Sequence, residues 1–303
     1  MARSYRIYDV FTEQGLAGNP LAVVFDSEGL DDARMQAVAR EFNLSETVFV
    51  KPAENPMHSA SLRIFTPARE LPFAGHPTVG AAIAIAEKTG GQAGMNMVSV
   101  LEERVGPVRC AVRLGDGAAS FAEFDLPRKS VHVGPGPAKE GLADALGIKN
   151  TEIGFENHVP SVWSAGVPFL LVPVHDLGVA ERIEFDAPLW EKVAPLVEGH
   201  LASCYLYCRG GVHHAARFHT RMFTTDMGIA EDPATGSAVA ALSGAIHRFD
   251  GLPEGHHSCL IEQGVEMGRP SYIHLHIDAD ATAVQSARIG GHAVLVAEGM
   301  LHL

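Results

Sequence analysis

Four residues in this chain stand where their side chains could do chemistry: Glu46, His76, Asp232 and Ser237. Glu46 opens the run Glu46-Thr47-Val48-Phe49-Val50, whose β-branched and aromatic residues predict a buried strand. A carboxyl at the mouth of such a strand is desolvated, which raises its pKa towards the range useful for proton transfer. His76 lies in Gly75-His76-Pro77-Thr78-Val79-Gly80, ahead of an apolar run at 81–86. It reads as a second acid or base, as a donor to substrate, or as a helix cap. Asp232 and Ser237 lie in Glu231-Asp232-Pro233-Ala234-Thr235-Gly236-Ser237, ahead of a second apolar run at 238–246. Proline suits the first position of a helix and aspartate the cap before it, so Pro233 is expected to start the helix and Asp232 to cap it. Both runs are apolar on every side, which predicts buried helices, and both are too short to cross a membrane. The free N–H groups of two such helix starts suit an anion such as a carboxylate. Gly75, Pro77, Thr78, Thr235 and Gly236 flank those starts and are the candidate substrate-binding positions.

The elements that must position these residues occur twice. Arg63-Ile64-Phe65-Thr66-Pro67 matches Arg221-Met222-Phe223-Thr224-Thr225. Each copy continues to a proline followed three residues later by glycine, Pro77 to Gly80 and Pro233 to Gly236. On this alignment the second loop is two residues shorter, and His76 and Asp232 occupy equivalent cap positions. The pattern predicts an α+β fold of two duplicated domains, each a rolled β-sheet around a central buried helix. The cleft between them is the natural site.

The length of 303 residues suits two domains of about 150 each. We expect them at 1–126 and 138–303, joined by the proline- and glycine-rich stretch 127–137, with the last strands free to pack back on the first domain. Strands are expected near 5–10, 21–25, 61–65, 98–102, 108–114, 120–125, 201–208, 215–218, 272–277 and 293–298. Helices are expected at 31–42, 142–146 and 186–197. A net charge of -13 argues against nucleic acid or an anionic membrane as partner, because both need basic patches. The N-terminus carries no signal-peptide pattern and no long apolar stretch follows, so a cytoplasmic location is expected. The four cysteines, Cys110, Cys204, Cys208 and Cys259, read as reduced buried thiols.

Other constellations are weaker. Cys204 and Cys208, with His213, His214 and His219 nearby, invite a metal reading, but Cys204-Tyr205-Leu206-Tyr207-Cys208 alternates like a core strand. No metal set is assigned. Ser237, His76 and Asp232 have the residue types of a hydrolase triad, but the chain lacks a Gly-x-Ser-x-Gly elbow and Ser237 falls in a helix. Gly134-x-Gly136 opens no helix and makes a poor phosphate loop. Arg269-Pro270-Ser271 either holds a carboxylate or makes a turn.

Taken together, Gly18-Asn19-Pro20-Leu21-Ala22-Val23, Asn43-Leu44-Ser45-Glu46-Thr47, Arg63-x-Phe65-Thr66-Pro67, Glu70-x-Pro72-Phe73-Ala74-Gly75-His76-Pro77-Thr78, Gly166-Val167-Pro168-Phe169, the Glu231–Ser237 motif and Gln263-Gly264 through Gly268-Arg269-Pro270-Ser271 resemble the PhzF family of phenazine-biosynthesis-like proteins. The resemblance runs from the first strand to the last. It implies a fold like diaminopimelate epimerase, a homodimer and no cofactor. It also implies that Glu46, matching the glutamate of the Asn-Leu-Ser-Glu-Thr motif, moves a proton, and that His76, Asp232 and Ser237 match the family's other site residues. Related epimerases that work by two thiols carry cysteines at the two helix-start loops. Those loops have none here, which fits one carboxylate moving one proton. The expectation is therefore a cofactor-independent isomerase of a small carboxylate-bearing metabolite. Glu46 would take a proton from carbon and return it elsewhere on the same face, His76 and Asp232 would orient substrate and shuttle protons, and Ser237 would hold a polar or anionic group. The alternatives are a non-catalytic protein of the same fold that binds a small ligand or a partner, and a hydrolase using Ser237. The identity of the substrate does not follow from these residues.

Overall fold

In a computed structural model, which describes residues 2–116, 119–225 and 228–303, the chain forms two similar runs of elements. The first comprises β1 (Ala2–Val10), β2 (Asn19–Val24), α1 (Asp32–Phe42), β3 (Glu46–Lys51), β4 (Ala60–Phe65), β5 (Glu70–Leu71), α2 (Gly75–Lys88), β6 (Asn96–Glu103), β7 (Gly106–Arg113) and β8 (Ser120–Asp125). The second starts with β9 (Val131–Pro135), α3 (Lys139–Leu146), β10 (Ser161–Ser164), β11 (Pro168–Pro173), α4 (Leu177–Glu181) and α5 (Ala187–Val193). It continues with β12 (Leu196–Val197), β13 (His200–Leu201), β14 (Ser203–Arg209), β15 (Ala216–Phe223), β16 (Glu231–Asp232), α6 (Gly236–Asp250), β17 (Gly255–Gln263), β18 (Ser271–Ala279) and β19 (Val284–His302).

Each half is a sheet rolled around one apolar helix. In α2 every residue from Gly75 to Ala86 is buried, and in α6 Ala238 to Ile246 are buried. α2 packs on β1, β2, β3, β6, β7 and β8, and α6 packs on β9, β10, β11, β18 and β19. Among the described residues no helix is long and apolar enough to cross a membrane. Local signals hold at the periphery: Asp31 caps α1 by accepting from the Arg34 N–H, and Asn43 ends it in the left-handed conformation. Asp186 caps α5, but that helix ends at Val193 rather than reaching 197. Ala194 precedes Pro195, and a residue before proline is pushed out of the helical region. Within the stretch expected as linker, Val131–Pro135 forms β9 and pairs with β10.

The duplication is present, but its register differs from the sequence alignment. Ile64 pairs with Leu71 and Phe65 with Glu70; in the second half Met222 pairs with Asp232 and Phe223 with Glu231. Arg63 accordingly pairs with Glu70 as Arg221 pairs with Glu231. So Gly75 corresponds to Gly236 and His76 to Ser237, and the second loop is the longer of the two. The expected cap role of Asp232 is also corrected. α6 starts at Gly236 with Thr235 as its N-cap, and Asp232 ends the preceding strand. Standing before Pro233, Asp232 is held extended, so the strand bridge rather than a helix claims it. Likewise α2 starts at Gly75, two residues before Pro77, with Ala74 as its N-cap.

The candidate active site

The two helix starts meet at their glycines. A Cβ built on Gly75 would lie 2.8 Å from the Gly236 Cα, and one on Gly236 would lie 3.0 Å from the Gly75 Cα. This backbone-to-backbone contact needs glycine on both sides. It puts the first N–H groups of two helices, which have no partner within the helix, side by side. Next to them a cavity of about 160 Å³ opens between the halves. Its polar lining includes Ser45, Glu46, Asp232, Thr235 and Ser237, and its apolar lining includes Leu71, Phe73, Val167, Pro168, Met222 and Ile229.

Glu46 reaches the cavity as the first residue of β3, which runs parallel to β2 with Glu46 beside Leu21. Its Oε2 lies 3.3 Å from His76 Nε2, and neither atom has an aligned hydrogen-bond partner. Burial pushes the Glu46 carboxyl well above the usual range, and the charge on Asp232 pushes it further. Burial also raises Asp232, to about 6, against hydrogen bonds from Thr235, Asn19 and Ser45 that favour its charged form. His76 is held down to about 3 by burial. Burial therefore favours the protonated form of Glu46 and the neutral form of His76, while the hydrogen bonds to Asp232 favour its charged form.

Asp232 is fixed by Thr235, a candidate from the sequence, and by Asn19 and Gln263, which sequence reasoning had not assigned to the site. Asn19 Nδ2 donates to Asp232 Oδ1 at 2.8 Å and to the Ala234 carbonyl at 3.0 Å. The Thr235 hydroxyl donates to Oδ2 at 2.5 Å. Gln263 Nε2 donates to the Asp232 carbonyl at 2.7 Å and to Thr235 Oγ1 at 3.0 Å, and Gln263 Oε1 accepts from the Thr235 N–H at 3.2 Å. Asn19 and Gln263 are fully buried. Their presence in turn-rich motifs was the signal, but which carboxylate an amide reaches depends on packing. Ser203 is a further cavity residue, and by strand register it is the counterpart of Glu46: Leu21 pairs with Glu46 as Phe169 pairs with Ser203.

The remaining candidates separate. Gly236 and Gly75 form the helix-start contact, and Pro77 is buried in α2. The Thr78 hydroxyl is occupied, bonded to the Ala74 carbonyl and to Glu103 Oε1 at 2.7 Å each. Among the described residues no hydrogen bond joins Ser237, His76 and Asp232, so they are not arranged as a hydrolase triad. Cys204 and Cys208 lie buried in a core cluster, as the strand reading expected. His219 is taken up between Glu262 at 2.7 Å and Glu266 at 2.8 Å. Burial alone would lower its pKa, but these two carboxylates raise it to about 9. Arg269 does hold a carboxylate, that of Asp9 at 2.6 Å.

Comparison with known proteins accounts for this architecture. The profile of the family described as "Phenazine biosynthesis-like protein" matches residues 8–299. A protein of Mesorhizobium japonicum, named as an uncharacterized isomerase, is 54% identical over 99% of both chains. The trans-2,3-dihydro-3-hydroxyanthranilate isomerase of Pseudomonas aeruginosa is 32% identical over 99% of both chains. The crystal structure of the Bacillus anthracis phenazine biosynthesis protein of the PhzF family superposes with a TM-score of 0.86 over 100% of both chains, at 23% identity. A chain matched along nearly its whole length by that profile, and folded as two halves that meet at their helix starts, belongs to the PhzF family of phenazine biosynthesis-like proteins.

Proposed function

We propose that the protein is an isomerase that shifts one proton on a small carboxylate-bearing metabolite, with Glu46 giving and taking that proton. The observation that carries this reading is the asymmetry of the duplicated site. Positions related by the duplication hold Glu46 opposite Ser203 and His76 opposite Ser237. Asp232 is no mirror image of Glu46: its counterpart is Leu71, and it is hydrogen-bonded by Ser45, next to Glu46. A reaction that removes a proton from one face and returns it on the other needs a base on each side. A single carboxyl instead returns the proton to the face it came from. The isomerase names of relatives matched over their full length support the same class.

Burial sets the order of the steps. Burial favours the protonated form of Glu46, so on this reading the carboxyl pair starts with one proton, on Glu46, and Glu46 first donates to one carbon of the substrate. The carboxylate so formed then takes a proton from another carbon on the same face. The substrate gains one proton and loses one, and the enzyme ends as it began. On this reading the N–H groups at the two helix starts and the Ser237 hydroxyl take the substrate's anionic group. In heavy water the first compound to try is trans-2,3-dihydro-3-hydroxyanthranilate, the compound in the name of the Pseudomonas relative. Deuterium should appear at carbon, and Glu46→Gln should slow turnover by about 10²–10⁴-fold. Undiminished turnover in that variant would overturn the reading.

A further inference from the structure

The two motifs that the proposed chemistry leaves unused, Gly18-Asn19-Pro20 and Gly268-Arg269-Pro270, touch each other across the two halves. Arg269 Nε donates to the Gly18 carbonyl at 2.8 Å, and its NH2 group donates to the Ala17 carbonyl at 2.8 Å and to Asp9 Oδ1 at 2.6 Å. The Gly18 N–H donates to the Pro270 carbonyl at 3.1 Å. Asp9 is buried, and its Oδ2 accepts the Leu16 N–H at 2.6 Å, so the corner is tied at both ends. Gly18 turns the corner at a φ of 64°, where any Cβ would strike Thr12 Cγ2 at 2.6 Å. The next residue is Asn19, whose amide reaches back into the second half to Asp232 and Ala234.

We infer that Asn19 and Arg269 are positioning residues of the reaction site: Arg269 of the second half fixes the Ala17–Asn19 corner of the first, and the corner holds the Asn19 amide against the Asp232 carboxylate. This rests on the reading in which Glu46 and Asp232 share one proton. The relay decides where that proton sits. Donors converge on Asp232 from Asn19, Thr235 and Ser45, whereas Glu46 Oε2 accepts none. The other titratable groups facing Asp232 are Glu46 on β3, Glu231 beside it on β16 and Tyr205 on β14. Glu231 is itself paired to Arg221 at 2.8 Å. The Tyr205 hydroxyl is taken up by Thr220 and Gln263, so without the Asn19 amide the carboxylate loses a bond that only its charged form makes fully.

The test needs no substrate. Side-chain carboxyl ¹³C NMR follows the titration of Asp232, its signal assigned by its loss in Asp232→Asn. In Asn19→Ala, and more weakly in Arg269→Gln, the midpoint should move up by about one pH unit from its wild-type value. Asn19→Ser, smaller and still polar, gives the same direction if the alanine variant does not fold. A midpoint that stays put in folded variants, with only the melting temperature reduced, overturns the proposal and leaves these residues a purely structural role. A moved midpoint without any deuterium incorporation by the wild type sinks the isomerase reading and leaves the relay intact.

Discussion

Burial favours the protonated form of Glu46, and the pH dependence expected of the proposed reaction follows from that. On the proposed mechanism the active form has Glu46 protonated and Asp232 charged, so kcat/KM should rise as pH passes about 6, where Asp232 ionises, and fall again above the raised pKa of Glu46. The two limbs belong to the pair rather than to either residue alone. A rate that climbs steadily through the alkaline range would mean that the carboxylate form starts the reaction. A second buried carboxyl gives a prediction about stability. Burial pushes Glu103 up to about 8 from an ordinary 4.5, against its hydrogen bond with Thr78. Its native form is the protonated one, so the stability it contributes is full below the unfolded pKa and is lost as pH rises through about 8. Glu103→Gln keeps the shape and removes the titration. It should melt like the wild type at pH 4 and be more stable by roughly 2–4 kcal/mol at pH 8. Equal urea midpoints at pH 8 would contradict this.

Among the elements, the contact between the starts of α2 and α6 is the joint on which the cavity depends. Both sides of it are backbone, so neither can move aside cheaply for an added methyl group. Gly236→Ala should destabilise the protein by about 1–3 kcal/mol, the usual cost of overpacking, and should reduce activity beyond the loss of folded protein. Denaturant midpoints and turnover measured on the same preparation separate the two effects. A variant that unfolds at the wild-type midpoint and works at the wild-type rate would show the contact to be dispensable.

At the scale of the molecule, the second half lends a strand to the first. β19 pairs with β18 over its first part, runs on to pair with β8 and then pairs with the whole length of β1. The first half does not close its own sheet. We therefore predict that residues 1–126 expressed alone will not unfold cooperatively, because β1 and β8 lose the partner that covers them; a sharp two-state thermal transition of that fragment by circular dichroism would disprove it.

Much of this was legible in the chain itself. All-round apolar runs dictated two enclosed helices, and β-branched runs dictated the strands around them, because burial and local conformational preference are properties of composition and spacing. The repeated Arg-x-Phe-Thr pattern announced the duplication, and the position of Glu46 ahead of a buried strand announced a desolvated acid. Register was not legible. Proline spacing suggested that His76 matched Asp232, whereas the strand bridges match His76 with Ser237, since hydrogen bonds between distant segments decide where a strand stops and a helix starts. Nor were the contacts that join Arg269, Asn19 and Asp232 visible: they depend on which polar atoms from the two halves come within hydrogen-bond reach of one another, and only tertiary packing sets those distances.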